Sequence, residues 1–202
     1  MRRILMLGIA FIWAIGLNGA IAPTAQANTS PDQLAKAVEA IENLDALRSG
    51  LASTLEGKTE PPTAETMKAV CKPVGMEAKR IAQTEGWQLR QVSQKYRNPE
   101  HRPQNATELA ALEQFSANSE LQGLWQRGQV NGQPGTHYFR RINVSPGCLA
   151  CHGQKSRRPQ FVANNYPEDL AYDFKPGDLR GMYATFIPDL TAALNRPLAR
   201  IE

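Results

Sequence analysis

The chain has 202 residues and a formal net charge of +4, and 42% of its residues are hydrophobic. This length suits one domain with a substantial core, and the small charge without a long basic stripe excludes nucleic acid as an expected partner. Three cysteines are too few for a disulfide scaffold.

The N-terminal segment predicts export. Arg2 and Arg3 precede an apolar run over residues 4–17, and residues 25–27, which read AQA, offer a cleavage site. The run is shorter than the roughly 20 residues that cross a bilayer, so residues 1–27 are interpreted as a signal peptide, with an uncleaved anchor as the alternative. Cleavage lowers the net charge to about +2. The predicted location is the periplasm or a thylakoid lumen, without a stable membrane span.

A helix is predicted to follow the cleavage site. Ser30 is a capping residue, Pro31 suits the first helical position, and Gln33 completes the spacing of a capping box. Apolar residues then recur at helical intervals and form one face, which comprises Leu34, Ala37, Val38, Ile41, Leu44, Leu47 and Leu51.

After a polar break at residues 57–62, a second helix is predicted to end at Gly86. We expect Pro73 and Gly75 to kink or interrupt this helix just past Cys71. One apolar face of the second helix contains Met67, Cys71, Val74, Ala78 and Ile81.

The rest of the chain predicts an α+β fold with a small antiparallel sheet. Residues 131–135 form the turn of a hairpin, residues 153–180 are irregular, and the chain end is predicted to be helical from Asp189. The irregular segment at residues 153–180 is long for a loop in a compact domain. Such a length indicates function, and a bound cofactor could hold the segment in place. Strands are predicted over residues 87–96, 121–130, 136–144 and 180–188, and a helix over residues 105–117.

Residues 148–152 read CLACH and match the C-x-x-C-H signature of c-type haem attachment. Cys148 and Cys151 would bind the two vinyl groups at one porphyrin edge, which places His152 beneath the iron as the proximal ligand. A zinc site, a thioredoxin-like redox pair and a chance match are the alternatives. Zinc needs a second ligand pair and the redox pair needs a βαβ setting, so one covalent haem is the favoured interpretation.

The sixth iron ligand is not fixed by spacing. Cys71 is favoured because an unpaired thiol in an oxidising compartment needs protection, and coordination to iron would provide it. The candidates in the mature chain are Met67, Cys71, Met76, His101, His137 and Met182. Possible partners for the haem propionates, which could equally form a solvated basic rim, are Arg97, Arg140, Arg141, Lys155, Arg157 and Arg158.

Most of the mature chain resembles the bacterial and cyanobacterial family of single-haem c-type domains with a PAS-like fold, which also occur as sensor modules of histidine kinases. The residues that carry the resemblance are Cys71, the segments GWQLRQVSQKYRNPEHRPQ and NATELAALEQF, the motif SPGCLACHG, and the run YPEDLAYDFKPGDLRGMYATFIP.

This resemblance implies a PAS-like antiparallel sheet with flanking helices and a long N-terminal helix. It also implies covalent haem at Cys148 and Cys151, His152 as the proximal ligand and Cys71 on the opposite face of the iron. The predicted organisation is a signal peptide over residues 1–27, an N-terminal helix and linker over residues 28–60, and the haem domain over residues 61–202. The chain departs from the kinase-linked members in ending at Glu202 without a transmitter domain.

Two functions are predicted from these features. The first is a low-potential haem protein that senses redox state or a diatomic gas, and the alternative is an electron carrier that docks to a redox partner protein. A thiolate ligand stabilises ferric iron and lowers the potential in either case. An enzymatic role is not expected, because the sixth position is filled and no acid–base pair is evident.

Overall fold

The fold begins with a long helix whose start agrees with the sequence. The structure, a computed structural model, describes residues 29–189. Helix α1 covers Pro31–Ser53; the Ser30 hydroxyl accepts from the Gln33 amide, and the Gln33 side chain accepts from the Ser30 amide. The predicted capping box is confirmed. The predicted signal peptide and the helix predicted after Asp189 lie outside the described residues.

Helix α2 covers Ala64–Glu85 without a break, so Pro73 and Gly75 do not interrupt it, and the alternative of a kink just past Cys71 stays a prediction. Pro73 has no amide hydrogen to donate to the carbonyl of Ala69, yet the helix continues. The buried side chains of Val74 and Ile81 belong to the same apolar cluster as residues of α1, and this packing supports the helix on both sides of the proline. Gly86 ends α2 in the left-handed conformation, with φ of 69°, as predicted.

Four strands form one antiparallel sheet, which confirms the predicted α+β class and matches a PAS-like fold. The strand order is β1-β4-β3-β2, and each neighbouring pair is antiparallel. Strand β1 is shorter than predicted, because the backbone beyond it turns and the Ser93 amide bonds the His101 carbonyl. The strands are β1 (Gln88–Val92), β2 (Gly123–Val130), β3 (Gln133–Asn143) and β4 (Leu179–Pro188).

The hairpin between β2 and β3 is tighter than predicted. Asn131 and Gly132 have φ of 51° and 76°, which is the pattern of a two-residue type I′ turn. Gln133 already pairs with Val130, so the remainder of the predicted five-residue turn belongs to β3.

The sheet packs helices on both faces. Successive residues of a strand point to opposite faces, and in β4 Tyr183 belongs to the cluster formed with α1 and α2, whereas Met182 belongs to the cluster formed with α3. Helix α3 covers Ala106–Ala117, within the predicted range, and Asn105 is its N-cap. Within residues 29–189, no helix is long and apolar enough to cross a membrane.

Short helical turns surround the predicted haem motif and the irregular segment that follows it. Helix α4 covers Leu149–His152 and helix α5 covers Gln160–Asn165. The 3₁₀ turns are Pro99–His101, Pro146–Cys148 and Lys155–Arg157.

Candidate functional site

One cavity brings together the residues that the sequence singled out. Its volume is about 310 Å³, at the lower end of the usual range for ligand pockets. Helices α1 and α2, strand β1, the turn at Pro99–His101 and the motif segment all contribute to its wall. Cys71, Cys148, Cys151 and His152 line it, so all three cysteines of the chain face the same space.

The motif segment is held against α1 by a close backbone approach. A Cβ atom added to Gly147 would lie 2.0 Å from the carbonyl oxygen of Ala52, so only glycine fits there. The next residue, Cys148, has its sulfur 3.1 Å from the Ser145 hydroxyl and 3.7 Å from Nη1 of Arg48. Helix α1 therefore takes part in positioning the first cysteine of the motif.

The tautomer of His152 follows from its hydrogen bond. Nδ1 lies 2.8 Å from the carbonyl oxygen of Ala171, which can only accept, so Nδ1 carries the hydrogen and Nε2 keeps the lone pair. Nη2 of Arg97 is 3.2 Å from the same Nδ1, but both atoms are donors in this tautomer. Arg97 instead donates to the Cys151 carbonyl oxygen at 2.7 Å.

The electrostatic surroundings keep His152 and Cys151 neutral. Burial, together with Arg180 and Arg97, places the pKa of His152 well below its ordinary value. Burial also raises the pKa of Cys151 to about 11, against the opposing effect of Arg97. Near neutral pH the site therefore presents a neutral imidazole, the form that binds metals, beside a protonated thiol.

A buried carboxylate supports the acceptor of His152. The Asp169 side chain is fully buried, and its Oδ1 lies 2.9 Å from the Ala171 amide and 3.4 Å from Nε of Arg97. Its Oδ2 lies 3.3 Å from Nη1 of Arg158. Asp169 thus fixes both the backbone that carries the His152 acceptor and the guanidinium beside it.

Cys71 reaches the cavity from α2, one turn after Met67, which also lines it. Cys71 is an exposed residue, but desolvation by the surrounding protein raises the pKa of its thiol, while Arg97 and Arg180 act in the opposite direction. The structure therefore places the predicted distal ligand in the same cavity as His152. Ligation by these residues stays a prediction.

Of the other candidate ligands, His101 also lines the cavity. The remaining three are elsewhere: Met76 is exposed, Met182 is buried on the α3 side of the sheet, and His137 stacks on Phe139.

The cationic residues of the cavity differ from those predicted. Of the six suggested propionate partners only Arg97 lines the cavity, and its guanidinium pairs with Asp169. Sequence reasoning missed Arg48 and Arg180, which do line it. Nothing in their sequence spacing marks them, because α1 and β4 meet the motif only through the fold.

Known proteins resemble this chain over nearly all of its described part. A model of the Tll0287-like family matches residues 26–188. The crystal structure of the cyanobacterial haem protein Tll0287 is 56% identical, covers 80% of this chain and 98% of its own, and superposes with a TM-score of 0.72. The comparison with curated proteins gives no match. The chain belongs to the Tll0287-like family.

Proposed function

We propose that this chain is an exported protein that binds one haem covalently and senses redox state or a diatomic gas without catalytic turnover. The observation that carries the proposal is the convergence of Cys71, Cys148, Cys151 and His152 on one cavity. Family membership with a cyanobacterial haem protein supports it, and the signal-like segment at residues 1–27 supports export.

The residues present fit a haem better than a bare metal ion. Among residues 29–189, no group of three or more histidine, cysteine, aspartate or glutamate side chains is arranged to hold a metal. A porphyrin brings four nitrogen ligands of its own, so the protein needs to supply only two axial groups. An imidazole with Nε2 available and a thiol on a separate helix are such a pair.

Each residue has a defined task in this proposal. Cys148 and Cys151 would attach the cofactor, each thiol adding across one vinyl double bond with sulfur on one carbon and hydrogen on the other. His152 would hold the iron through Nε2, and Cys71 would hold it as a thiolate. When bound, the haem iron supplies a one-electron couple, and thiolate ligation favours its ferric state.

Cys71 is the residue that we propose to report the redox state. It lies on α2, a different element from the motif, and two residues later Pro73 leaves the Ala69 carbonyl without its usual amide donor. Loss of the bond to Cys71 on reduction would open a coordination position to a diatomic gas. The physiological signal would then pass through α2.

A surface next to His152 favours electron transfer as the second candidate. The Phe174 ring meets the His152 ring edge-on at 6.2 Å, and Nζ of the exposed Lys95 lies 4.2 Å from the centre of Phe174. Lys155 lies 4.8 Å over Tyr172 on the same surface. Basic side chains beside aromatic rings suit docking of an acidic redox partner.

A redox titration of the purified holoprotein, followed by visible and EPR spectroscopy with and without carbon monoxide, tests the proposal. The sensor model predicts that ferrous protein binds carbon monoxide and that Cys71→Ser abolishes the low-spin ferric signal of a thiolate ligand. Met67→Leu, which alters the other sulfur in the same helical face, is the matched control and should leave that signal unchanged.

Two results would contradict this assignment. An unaltered ferric spectrum in Cys71→Ser would remove Cys71 as a ligand. Reversible reduction of the wild type without a change of ligand and without gas binding would favour the electron carrier.

A further inference from the structure

Arg180 stands out among the cavity-lining arginines by its lack of a carboxylate partner. Arg48 pairs with Asp45 at 2.7 Å, and Arg97 pairs with Asp169 at 3.4 Å. Among residues 29–189, no carboxylate lies within 4.0 Å of the guanidinium of Arg180. A partly buried cation in a cavity wall is costly unless an anion compensates it.

The guanidinium of Arg180 is nevertheless fixed in place. Its Nη1 donates to the Ser93 hydroxyl and to the Lys95 carbonyl oxygen, both at 3.1 Å. The same hydroxyl donates to the Arg180 carbonyl oxygen at 2.7 Å, and the guanidinium carbon lies 5.6 Å over the Phe174 ring. These contacts orient the group without neutralising its charge.

The hydrogen bonds of Arg180 use only Nη1 of its guanidinium and leave the edge formed by Nε and Nη2 available. Both hydrogens of Nη1 are engaged, whereas Nε and Nη2 donate to no group in the part of the chain that the structure describes. Nε–H and Nη2–H point in parallel and match the two oxygens of one carboxylate. Burial and the neighbouring Arg97 lower the pKa of Arg180 to about 10, and a bound carboxylate would raise this pKa again.

We propose that Arg180 binds a propionate carboxylate of the haem through its Nε–Nη2 edge. This inference rests on the proposed haem binding and names the anion that completes the cavity. Arg97 does not offer the same edge, because its Nε and Nη2 already donate to Asp169 and to the Cys151 carbonyl oxygen.

The test is resonance Raman spectroscopy of holoprotein that carries Arg180→Gln, read at the propionate bending mode. We expect this mode to move to lower frequency than in the wild type. Arg180→Lys, which keeps the charge but lacks the two-pronged edge, should give a smaller shift in the same direction. Arg157→Gln removes an exposed arginine near the motif that does not line the cavity, and should leave the mode in place.

Each outcome decides the inference. An unmoved propionate mode in Arg180→Gln overturns the inference that Arg180 binds a propionate. If the ferric EPR signal changes while that mode stays in place, Arg180 acts on the Cys71 thiolate instead, and the inference is equally overturned. A wild type without haem overturns the proposed function as well, so the two failures are distinguishable. If neither Arg180 variant folds, a crystal structure of the wild-type holoprotein decides. A propionate within hydrogen-bond distance of Nε and Nη2 supports the inference, and propionates beyond that distance overturn it.

Discussion

The Nδ1 atom of His152 donates to the carbonyl oxygen of Ala171 at 2.8 Å, and this bond fixes which ring nitrogen can bind iron. The carbonyl belongs to an irregular segment without regular secondary structure of its own. Its position depends on the Asp169 carboxylate, which accepts from the Ala171 amide. The geometry of the predicted proximal ligand therefore depends on a buried side chain outside the motif.

Replacing Asp169 with asparagine should destabilise the fold and disturb His152. The guanidinium groups of Arg97 and Arg158 would lose their shared buried anion, at a cost of about 3 kcal/mol in the free energy of unfolding. Chemical denaturation measures this loss. Asp173→Asn is the control, because Asp173 is exposed and its positive φ of 55° tolerates asparagine, so we expect a change of at most about 0.5 kcal/mol. Equal effects of the two variants would contradict the role assigned to Asp169.

Replacing Gly147 with alanine should push the motif away from α1. The added methyl group would overlap the Ala52 carbonyl oxygen, and relief of that clash should cost about 2 kcal/mol and lower the yield of haem attachment. Gly50→Ala on α1 is the matched control, since a Cβ there meets no atom within 4 Å. Alanine in a helix interior is expected to stabilise by about 0.5 to 1 kcal/mol. Normal stability and haem content in Gly147→Ala would argue against this docking.

The free energy of unfolding should fall as the pH drops below about 6.5, in part because of His137. Burial lowers the pKa of His137, with a smaller opposing effect from Glu108, and its ring stacks on Phe139 at 5.6 Å. The unfolded chain binds the proton more readily, so the stability contribution is complete above the unfolded pKa and is lost as the pH falls through the folded one.

His137→Phe keeps a ring in this position and removes the titration. Denaturation curves collected between about pH 7.5 and 5 should show a shallower loss of stability for this variant than for the wild type. Parallel pH profiles for the two proteins would mean that His137 does not contribute.

Local signals in the sequence predict much of the fold. Ser30 with Gln33 starts α1, Gly86 ends α2, and Asn131-Gly132 forms the hairpin turn, because each uses backbone chemistry confined to a few residues. The interruption predicted at Pro73 is wrong because it considered only the proline and its immediate neighbours. The free-energy cost of the hydrogen bond lost at Pro73 is outweighed by the tertiary packing of Val74 and Ile81. Helix rules based on neighbouring residues do not include such packing.

In the candidate site too, the residues close together in sequence could be predicted more readily than those brought in by the fold. The spacing of Cys148, Cys151 and His152 marks the motif directly in the sequence. Arg180 could not be predicted as a cavity residue, because it reaches the cavity through long-range contacts, whereas His101 was only one of several candidate ligands until the fold placed it there. The Ser93 amide donates to the His101 carbonyl oxygen. The Ser93 hydroxyl donates to the Arg180 carbonyl oxygen and accepts from Nη1 of the same arginine.

Covalent haem at Cys148 and Cys151 is tested most directly by intact-mass spectrometry of the chain produced in a host competent for c-type cytochrome maturation. We expect the mass of the processed polypeptide plus one haem, retained after denaturation, and loss of that addition in a Cys148→Ser/Cys151→Ser variant. A colourless wild-type product with the mass of the polypeptide alone would contradict the account.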